Sequence, residues 1–326
     1  MRIRRASSII IFMSLEQEIR DKGRELGFDA VGITDASPIG REHVEHLQEW
    51  LRRGYAGRME YMHRHFEKRI DPARLRKGAK SVIVVALNYK PGRNAVESAS
   101  SEHGPAGRVA LYAQYEDYHP FIKSLLRELA SFLSVRAGRP DRYKICVDSA
   151  PLAEKVLAVR AGLGFIGRNH LLIHPHIGPQ VLLGELVTTV PLHPDEPHKG
   201  TCQGCDRCLK ACPTGALRPD AFLDASRCIS CLTQYPWQTE PPPNTRDWLF
   251  GCDECLLACP FHQDAPPCAN ARFKFHPDRA RLNLRELLTL DPQTFEARFA
   301  DSPLHRLGLA PLQRTAHACL QARVRP

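Results

Sequence analysis

Two cysteine runs, each closed by proline, constrain this chain more than anything else in it: Cys202-x2-Cys205-x2-Cys208-x3-Cys212-Pro213 and Cys252-x2-Cys255-x3-Cys259-Pro260, with Cys228 and Cys231 between them. The first run has the spacing with which bacterial ferredoxins grip one cubane through three thiolates, while the cysteine before proline reaches the neighbouring cluster. By that logic Cys202, Cys205, Cys208 and Cys259 surround one 4Fe-4S cluster, and Cys212, Cys252 and Cys255 surround a second. The second set is one ligand short. A regular half would place it three residues before Cys252, at Leu249, which cannot bind iron. The spacing leaves the eighth ligand to the insertion, as Cys228 or Cys231. Structural zinc also uses paired C-x2-C motifs, but it has little use for a third cysteine and a following proline repeated in both halves.

Nine of the 12 cysteines fall between Cys202 and Cys259, whereas a disulfide framework would spread them through a much smaller fold. A reducing cytoplasm is therefore expected. Cys146, Cys268 and Cys319 read as ordinary thiols. The 326 residues, 43% hydrophobic, suffice for one large or two modest domains with a real core. No stretch approaches the roughly 20 apolar residues of a membrane span. Arg2, Arg4 and Arg5 before Ile9-Ile10-Ile11-Phe12 invite an export-signal reading, yet the apolar run is too short and lacks a cleavage site, so residues 1–13 read as a non-native or disordered extension.

Lys plus Arg exceed Asp plus Glu by 45 − 36 = 9, a balance that favours polyanionic partners. Residues 271–326 hold ten Arg or Lys against five acids, including Arg306, Arg314, Arg323 and Arg325, and that tail is expected to track phosphates.

Helical periodicity over 14–27, a short strand at Ala30 to Ile33 and a helix over 41–53 open the chain. Ser81 to Leu87 is a continuous β-branched run with the composition of a central strand covered on both faces. After a Gly, Pro and Ser-rich loop over 91–107 come a strand over 109–112, a helix over about 120–135 and a strand over 143–147 that ends beside Asp148. Ser149 then caps an expected helix with Pro151 in its first turn, running to Arg160 and stopping at Gly162. Leu282, Leu287, Leu288, Phe295 and Phe299 form a helical core stripe. These signals give an α/β (α+β) domain over 14–195, a ferredoxin-like double-cluster domain over 196–265 and a basic helical segment over 266–326. Gly162-x-Gly164-x-x-Gly167 has the letters of a dinucleotide fingerprint but follows a helix, so it reads as a glycine-rich loop.

Asp117-Tyr118-His119, Ile145 to Pro151, Ala161 to Asn169, Gly184-Glu185-Leu186, the cysteine block and Ser302 to Arg306, in that order, resemble the epoxyqueuosine reductases over nearly the whole chain. The resemblance implies a cobalamin domain related to reductive dehalogenases. It also implies an activity, the reduction of epoxyqueuosine to queuosine at the wobble position of tRNA. Electrons would come from an external low-potential donor of flavodoxin or ferredoxin type and pass through both clusters to cobalamin; a cytoplasmic monomer is expected. Asp148 matches the family's proton donor, although its residues alone read more readily as a helix cap. Tyr112, Asp117, Tyr118 and His119 match the stretch facing substrate and corrin. Gly162, Gly164, Gly167 and Arg168 match a loop expected to approach the corrin, glycine permitting close contact. Cys228 aligns with the eighth cluster ligand, Cys231 remaining a substitute. Lys155, Arg168, Pro179-Gln180 and Phe261-His262 depart from the common pattern, and none removes a cluster ligand. Two other readings compete: a cytoplasmic corrinoid reductive dehalogenase, disfavoured by the basic tail, and a ferredoxin-like carrier, disfavoured by the 200 residues before the clusters.

Overall fold

The computed structural model describes residues 13–92, 104–138, 140, 142–235 and 245–324. Its first sheet is built outward from β2 (Ser81–Asn88), all eight of whose residues are buried. Successive side chains of a strand point to opposite faces. Ile83, Val85 and Leu87 accordingly enter one core with the long helix α3 (Tyr118–Arg136), while Val82, Val84 and Ala86 enter another with α4 (Glu154–Arg160). Burying each of these aliphatic side chains contributes roughly 1.5–3 kcal/mol.

The order is β1 (Ala30–Asp35), β2, β7 (Val181–Thr188), β4 (Tyr143–Cys146), and every pairing is antiparallel. Two-sided cover rather than parallel pairing therefore explains the apolar run in β2. Helix α1 (Leu15–Glu25), capped by Ser14, packs along β1, and α2 (Arg41–Arg52) follows. A two-stranded ribbon, β5 (Phe165–Ile166) with β6 (Leu172–Ile173), lies beyond α4.

Three local expectations change. The strand over 109–112 stops at Val109, because Leu111–Gln114 winds into a single 3-10 turn. Helix α3 begins at Tyr118, two residues early, since Asp117 caps it by accepting from His119 N at 3.0 Å. The helix expected from Ser149 begins only at Glu154 and has no side-chain cap. Ser149 N and Leu152 N instead donate two residues back, to Val147 O and Ala150 O, so residues 147–152 form consecutive tight turns, and neither Asp148 nor Ser149 caps a helix.

The second sheet joins segments that the sequence separated. Strand β3 (Ala106–Val109) lies between β8 (Trp248–Phe250) and β9 (Arg281–Asn283), one strand from each of the three expected domains. Leu249, at the place of a regular cluster ligand, is completely buried in this sheet's core with Leu284, Phe295, Phe299 and Leu312. A Cβ on Gly107 would lie 2.4 Å from Leu249 Cγ, so this strand can approach only as glycine. The terminal helices α8 (Leu284–Thr289), α9 (Pro292–Phe299), α10 (Pro303–Leu307) and α11 (Leu309–Val324) complete that core. Leu287, Phe295 and Phe299 are helical core as expected, with Leu288 packed at its edge, but Leu282 enters that core from strand β9 and not from a helix.

Among the described residues, no helix is long and apolar enough to cross a membrane. The expected extension over 1–13 lies outside the described residues except for Met13, as do Arg325 and residues 93–103 of the Gly, Pro and Ser-rich loop. Phe299→Ala should cost about 3–5 kcal/mol, measured by urea denaturation followed both at the C-terminal helices and at the cluster chromophore. The two signals should shift together, because the side chain belongs to a core built from all three segments.

Candidate functional site

The tight turns after β4 present Asp148 with φ 55°, in the left-handed region. For a residue with a Cβ this conformation costs about 1–2 kcal/mol, so its surroundings must hold it there. Asp148 Oδ2 accepts from Tyr118 Oη at 3.0 Å and lies 3.3 Å from His119 Nε2. On the other edge of the imidazole, Nδ1 is 2.9 Å from Asp117 Oδ1. Arg306, from α10, lays Nη1 3.0 Å from His119 Nε2 and 3.6 Å from Asp117 Oδ2, with its guanidinium 5.8 Å from the centre of the Tyr118 ring. Two carboxylates and two bases thus form one compact, nearly neutral cluster.

The electrostatics follow from that packing. Burial opposes the charged imidazole of His119, but the hydrogen bonds to Asp117 and Asp148 outweigh it and raise the pKa, against the repulsion of Arg306. Burial would raise Asp148, yet His119, Tyr118 and Arg306 together bring it below the ordinary carboxylate value. In this arrangement the proton therefore resides on His119 and Asp148 is ionised. The Asp148 side chain keeps 62% of its surface open, whereas that of His119 keeps only 9%.

A wall of tyrosines runs from Asp148 towards the second cysteine set. Tyr112 meets Tyr118 edge to face at 6.2 Å and donates to Gln234 Oε1 at 2.9 Å. Tyr235 donates to Tyr61 Oη at 3.0 Å, and both hydroxyls feel the charges of Asp148 and Cys231. Burial pushes the Tyr112, Tyr118 and Tyr235 hydroxyls well above their usual values, so all three remain neutral donors. Asp253, beside Cys252, is raised to about 6 by burial and receives Leu111 N at 2.7 Å.

Eight of the cysteines gather in two places. Cys202, Cys205, Cys208 and Cys259 line one cavity of about 260 Å³, together with Arg168, Asn169 and Phe261. That is space for a cluster, far more than a single zinc ion bonded at about 2.3 Å would need. The second set meets around Cys255, whose thiol is raised by burial and then by Cys228, Cys252 and Cys212. The two inserted cysteines differ in their surroundings. The backbone amides of Cys231 and Ser230 act to lower the Cys228 thiol against its burial, as those of Leu217, Thr214 and Ala216 do at Cys212 and that of Glu254 at Cys252. Cys231 is pushed up to about 12 by burial and by Cys228, with no such donors acting on it.

Several sequence expectations fall elsewhere. Arg168 belongs to the first cysteine set: its backbone N–H lies 3.4 Å from Cys202 Sγ. The glycines of the 162–167 loop are filled by protein on the side where a Cβ would project. Gly162 faces Glu196 O, Gly164 faces Ile173 O and Gly167 faces Ile173 Cδ1, at 3.0, 2.2 and 2.4 Å. Their freedom from side chains serves internal packing. Arg306 is part of the Asp148 cluster, and Arg323 donates to Ala106 O at 2.7 Å. Sequence reasoning missed Tyr61, Gln234 and Tyr235, which carry no motif and reach the site only through the fold.

A second cavity, of about 640 Å³, borders the Asp148 turns through Val147, Ser149, Ala150 and Pro151. Its lining includes Lys68, Arg74, Lys123, Arg127, Lys144 and His65 and no carboxylate.

Residues 69–149 match a family model described as epoxyqueuosine reductase QueG, DUF1730, and residues 201–262 match a 4Fe-4S double cluster binding domain. The epoxyqueuosine reductase of Cyclobacterium marinum is 37% identical, over 92% of this chain and 95% of that protein. That of Pseudomonas aeruginosa is 40% identical, over 90% of this chain and 81% of its own length. Among solved structures, epoxyqueuosine reductase with a tRNA-Tyr epoxyqueuosine-modified stem loop superposes with a TM-score of 0.84 at 29% identity, over 94% of this chain and 80% of that one. The Bacillus subtilis enzyme, crystallised with its catalytic aspartate loop swung out of the active site, gives 0.85 at 30% identity, over 94% and 81%. With relatives of this identity matched over nearly their full lengths, the chain belongs to the epoxyqueuosine reductase family.

Proposed function

We propose that this protein reduces epoxyqueuosine to queuosine at the wobble position of tRNA, drawing electrons through two 4Fe-4S clusters. The observation that carries the proposal is the Asp148 cluster: a carboxylate open on one side, hydrogen-bonded by Tyr118 and 3.3 Å from His119 on the other, and joined by a tyrosine wall to the second cysteine set. Opening an epoxide to an alkene takes up two electrons and two protons and releases water. His119 holds a proton 3.3 Å from Asp148 Oδ2, and Asp148 passes it to the oxygen that leaves, a general-acid step worth roughly 10²–10⁴ in rate. Arg306 and Asp117 keep the imidazole oriented while its charge changes.

Cobalamin would be held between the second cysteine set and Asp148, where Tyr61, Tyr112, Tyr118 and Tyr235 stand. Cobalamin, when bound, supplies a strongly reducing metal centre that the side chains cannot provide. Neither nitrogen of His119 is free to ligate it, because Nδ1 faces Asp117 and Nε2 faces Asp148 and Arg306. The eight cluster ligands are Cys202, Cys205, Cys208 and Cys259 for one cluster and Cys212, Cys228, Cys252 and Cys255 for the other. The backbone amides that lower its thiol, and its place beside Cys255 with Cys252 and Cys212, favour Cys228 over Cys231. An external low-potential protein donates the electrons, and the enzyme works in the cytoplasm as a monomer. The cationic cavity beside the Asp148 turns supports a polyanionic substrate, and its phosphate contacts would place the modified nucleotide over Asp148.

Anaerobically reconstituted protein with cobalamin and a strong reductant should convert an epoxyqueuosine stem loop to queuosine, read by mass spectrometry of the digested RNA; absence of conversion by cluster-replete, cobalamin-loaded protein would sink the proposal. Asp148→Asn should keep iron and cobalamin content and lose turnover by about 10²-fold or more. Cys228→Ser should reduce the iron content towards that of a single cluster, whereas Cys231→Ser should leave it unchanged; the reverse pattern would reassign the ligand. Lys123→Glu with Arg127→Glu should weaken stem-loop binding by about tenfold or more and flatten the logarithmic salt dependence by about 1 per lost phosphate contact. Unaltered binding would move the RNA surface elsewhere.

A further inference from the structure

Behind the Asp148 turns lies a pair of carboxyl groups that the proton-transfer step does not use. Glu185 sits in the middle of β7, opposite Cys146 on β4 and Val84 on β2, and is completely buried. Both its carboxyl oxygens lie out of reach of water with no hydrogen-bond partner in place, and the charge that acts on it most strongly is the carboxyl of Glu154. Glu154, the first residue of α4, turns Oε1 back over the tight turns to accept the backbone N–H of Asp148 at 2.6 Å. The peptide so held is the one whose φ is left-handed. An unpaired carboxylate in the centre of a sheet is far too costly to persist, and the Glu154 carboxyl, the strongest charge acting on Glu185, opposes its ionisation further.

We propose that Glu154 and Glu185 are a positioning pair, sharing one proton, that anchors the Asp148 peptide in its left-handed conformation and so aims the Asp148 carboxylate at Tyr118, His119 and the substrate. Glu185, protonated, donates to Glu154; Glu154, through its other oxygen, receives Asp148 N–H. The acid that meets the substrate is thereby fixed from behind by a hydrogen bond to its own backbone, leaving its side chain free to exchange protons at the front. Loss of the shared proton would put two negative charges behind Asp148 and release the turns.

Burial lifts Glu154 to about 7, with the charge of Asp148 adding to the rise, and holds Glu185 well above the ordinary carboxylate range. The other ionisable groups around the pair are Lys155 on the same helix, Arg69 from the short helix Phe66–Ile70, and Cys146, which itself senses Lys144 and Lys123. Raised carboxyl values mean that the anchor is complete at low pH and is lost as pH rises through about 7.

The inference rests on the proposed role of Asp148, and its test separates the two. Amide hydrogen exchange over residues 147–150 and steady-state kinetics would be compared in the fully loaded wild type, Glu154→Leu and Glu154→Gln. Glu154→Leu should speed exchange at Asp148 by about tenfold, the change expected for one lost hydrogen bond, and lower kcat by a similar factor with KM unchanged. Glu154→Gln keeps an acceptor oxygen and should restore both. Leucine and glutamine behaving alike, or leucine leaving exchange untouched, would overturn the proposal. Should Glu154→Leu fail to fold, Glu185→Gln decides. After correction for intrinsic base catalysis, wild-type exchange at Asp148 should accelerate near pH 7 and the variant should not; equally flat profiles would overturn the pairing. If exchange responds as expected while no variant, nor the wild type, turns over epoxyqueuosine, the anchor stands and the substrate assignment fails.

Discussion

Four mutually compensating charges, Asp117, His119, Asp148 and Arg306, hold together the part of the molecule on which the chemistry depends. Each comes from a different structural commitment: a helix cap, the first turn of α3, a strained turn after β4, and the C-terminal α10. Taking one charge out of such a half-buried group leaves its partner uncompensated, which costs far more than the intact pair gains. The arrangement therefore fixes where the C-terminal segment docks, and it makes the helices after residue 280 part of the site as well as part of the core.

The same economy governs the clusters. Their ligands come from three separate stretches, and the stretch that ought to supply the eighth contributes Leu249 to a buried strand instead. That strand is paired to β3 of the first segment and lies against the terminal helices, so converting it to a ligand loop would open a core. The insertion brings the Cys228 sulfur beside Cys255, together with Cys252 and Cys212. Electron entry, the tyrosine wall and the acid consequently share one rigid framework.

Much of this was legible from residues alone. Strand β2, helix α1 and the core stripe at Phe295 and Phe299 announced themselves because local periodicity and burial agreed. The partition of the cysteines followed from spacing, because ligands three residues apart leave little geometric choice. The misreadings have one source. Ser149-Ala150-Pro151 has the local chemistry of a helix start, yet the backbone spends those residues on tight turns that bring Asp148 to His119. The glycines at 162, 164 and 167 signal close approach, but not which surface approaches, and that surface proved to be Glu196 and Ile173. Arg306 was counted as tail charge because sequence distance conceals that it lies against an imidazole 187 positions away.

The sequence by itself determined the inventory: two sets of thiolates with cluster spacing, one strand apolar on both faces, an aspartate after a strand, and a positive charge balance. Short-range geometry suffices for these, since each depends on residues a few positions apart. Tertiary structure alone decided which groups touch. It brought Asp117, His119, Asp148 and Arg306 together, gave Cys228 and Cys231 different surroundings, and buried Glu185 in the middle of a strand. Those outcomes depend on desolvation and on charges brought together from distant segments, and neither quantity exists until the chain has folded.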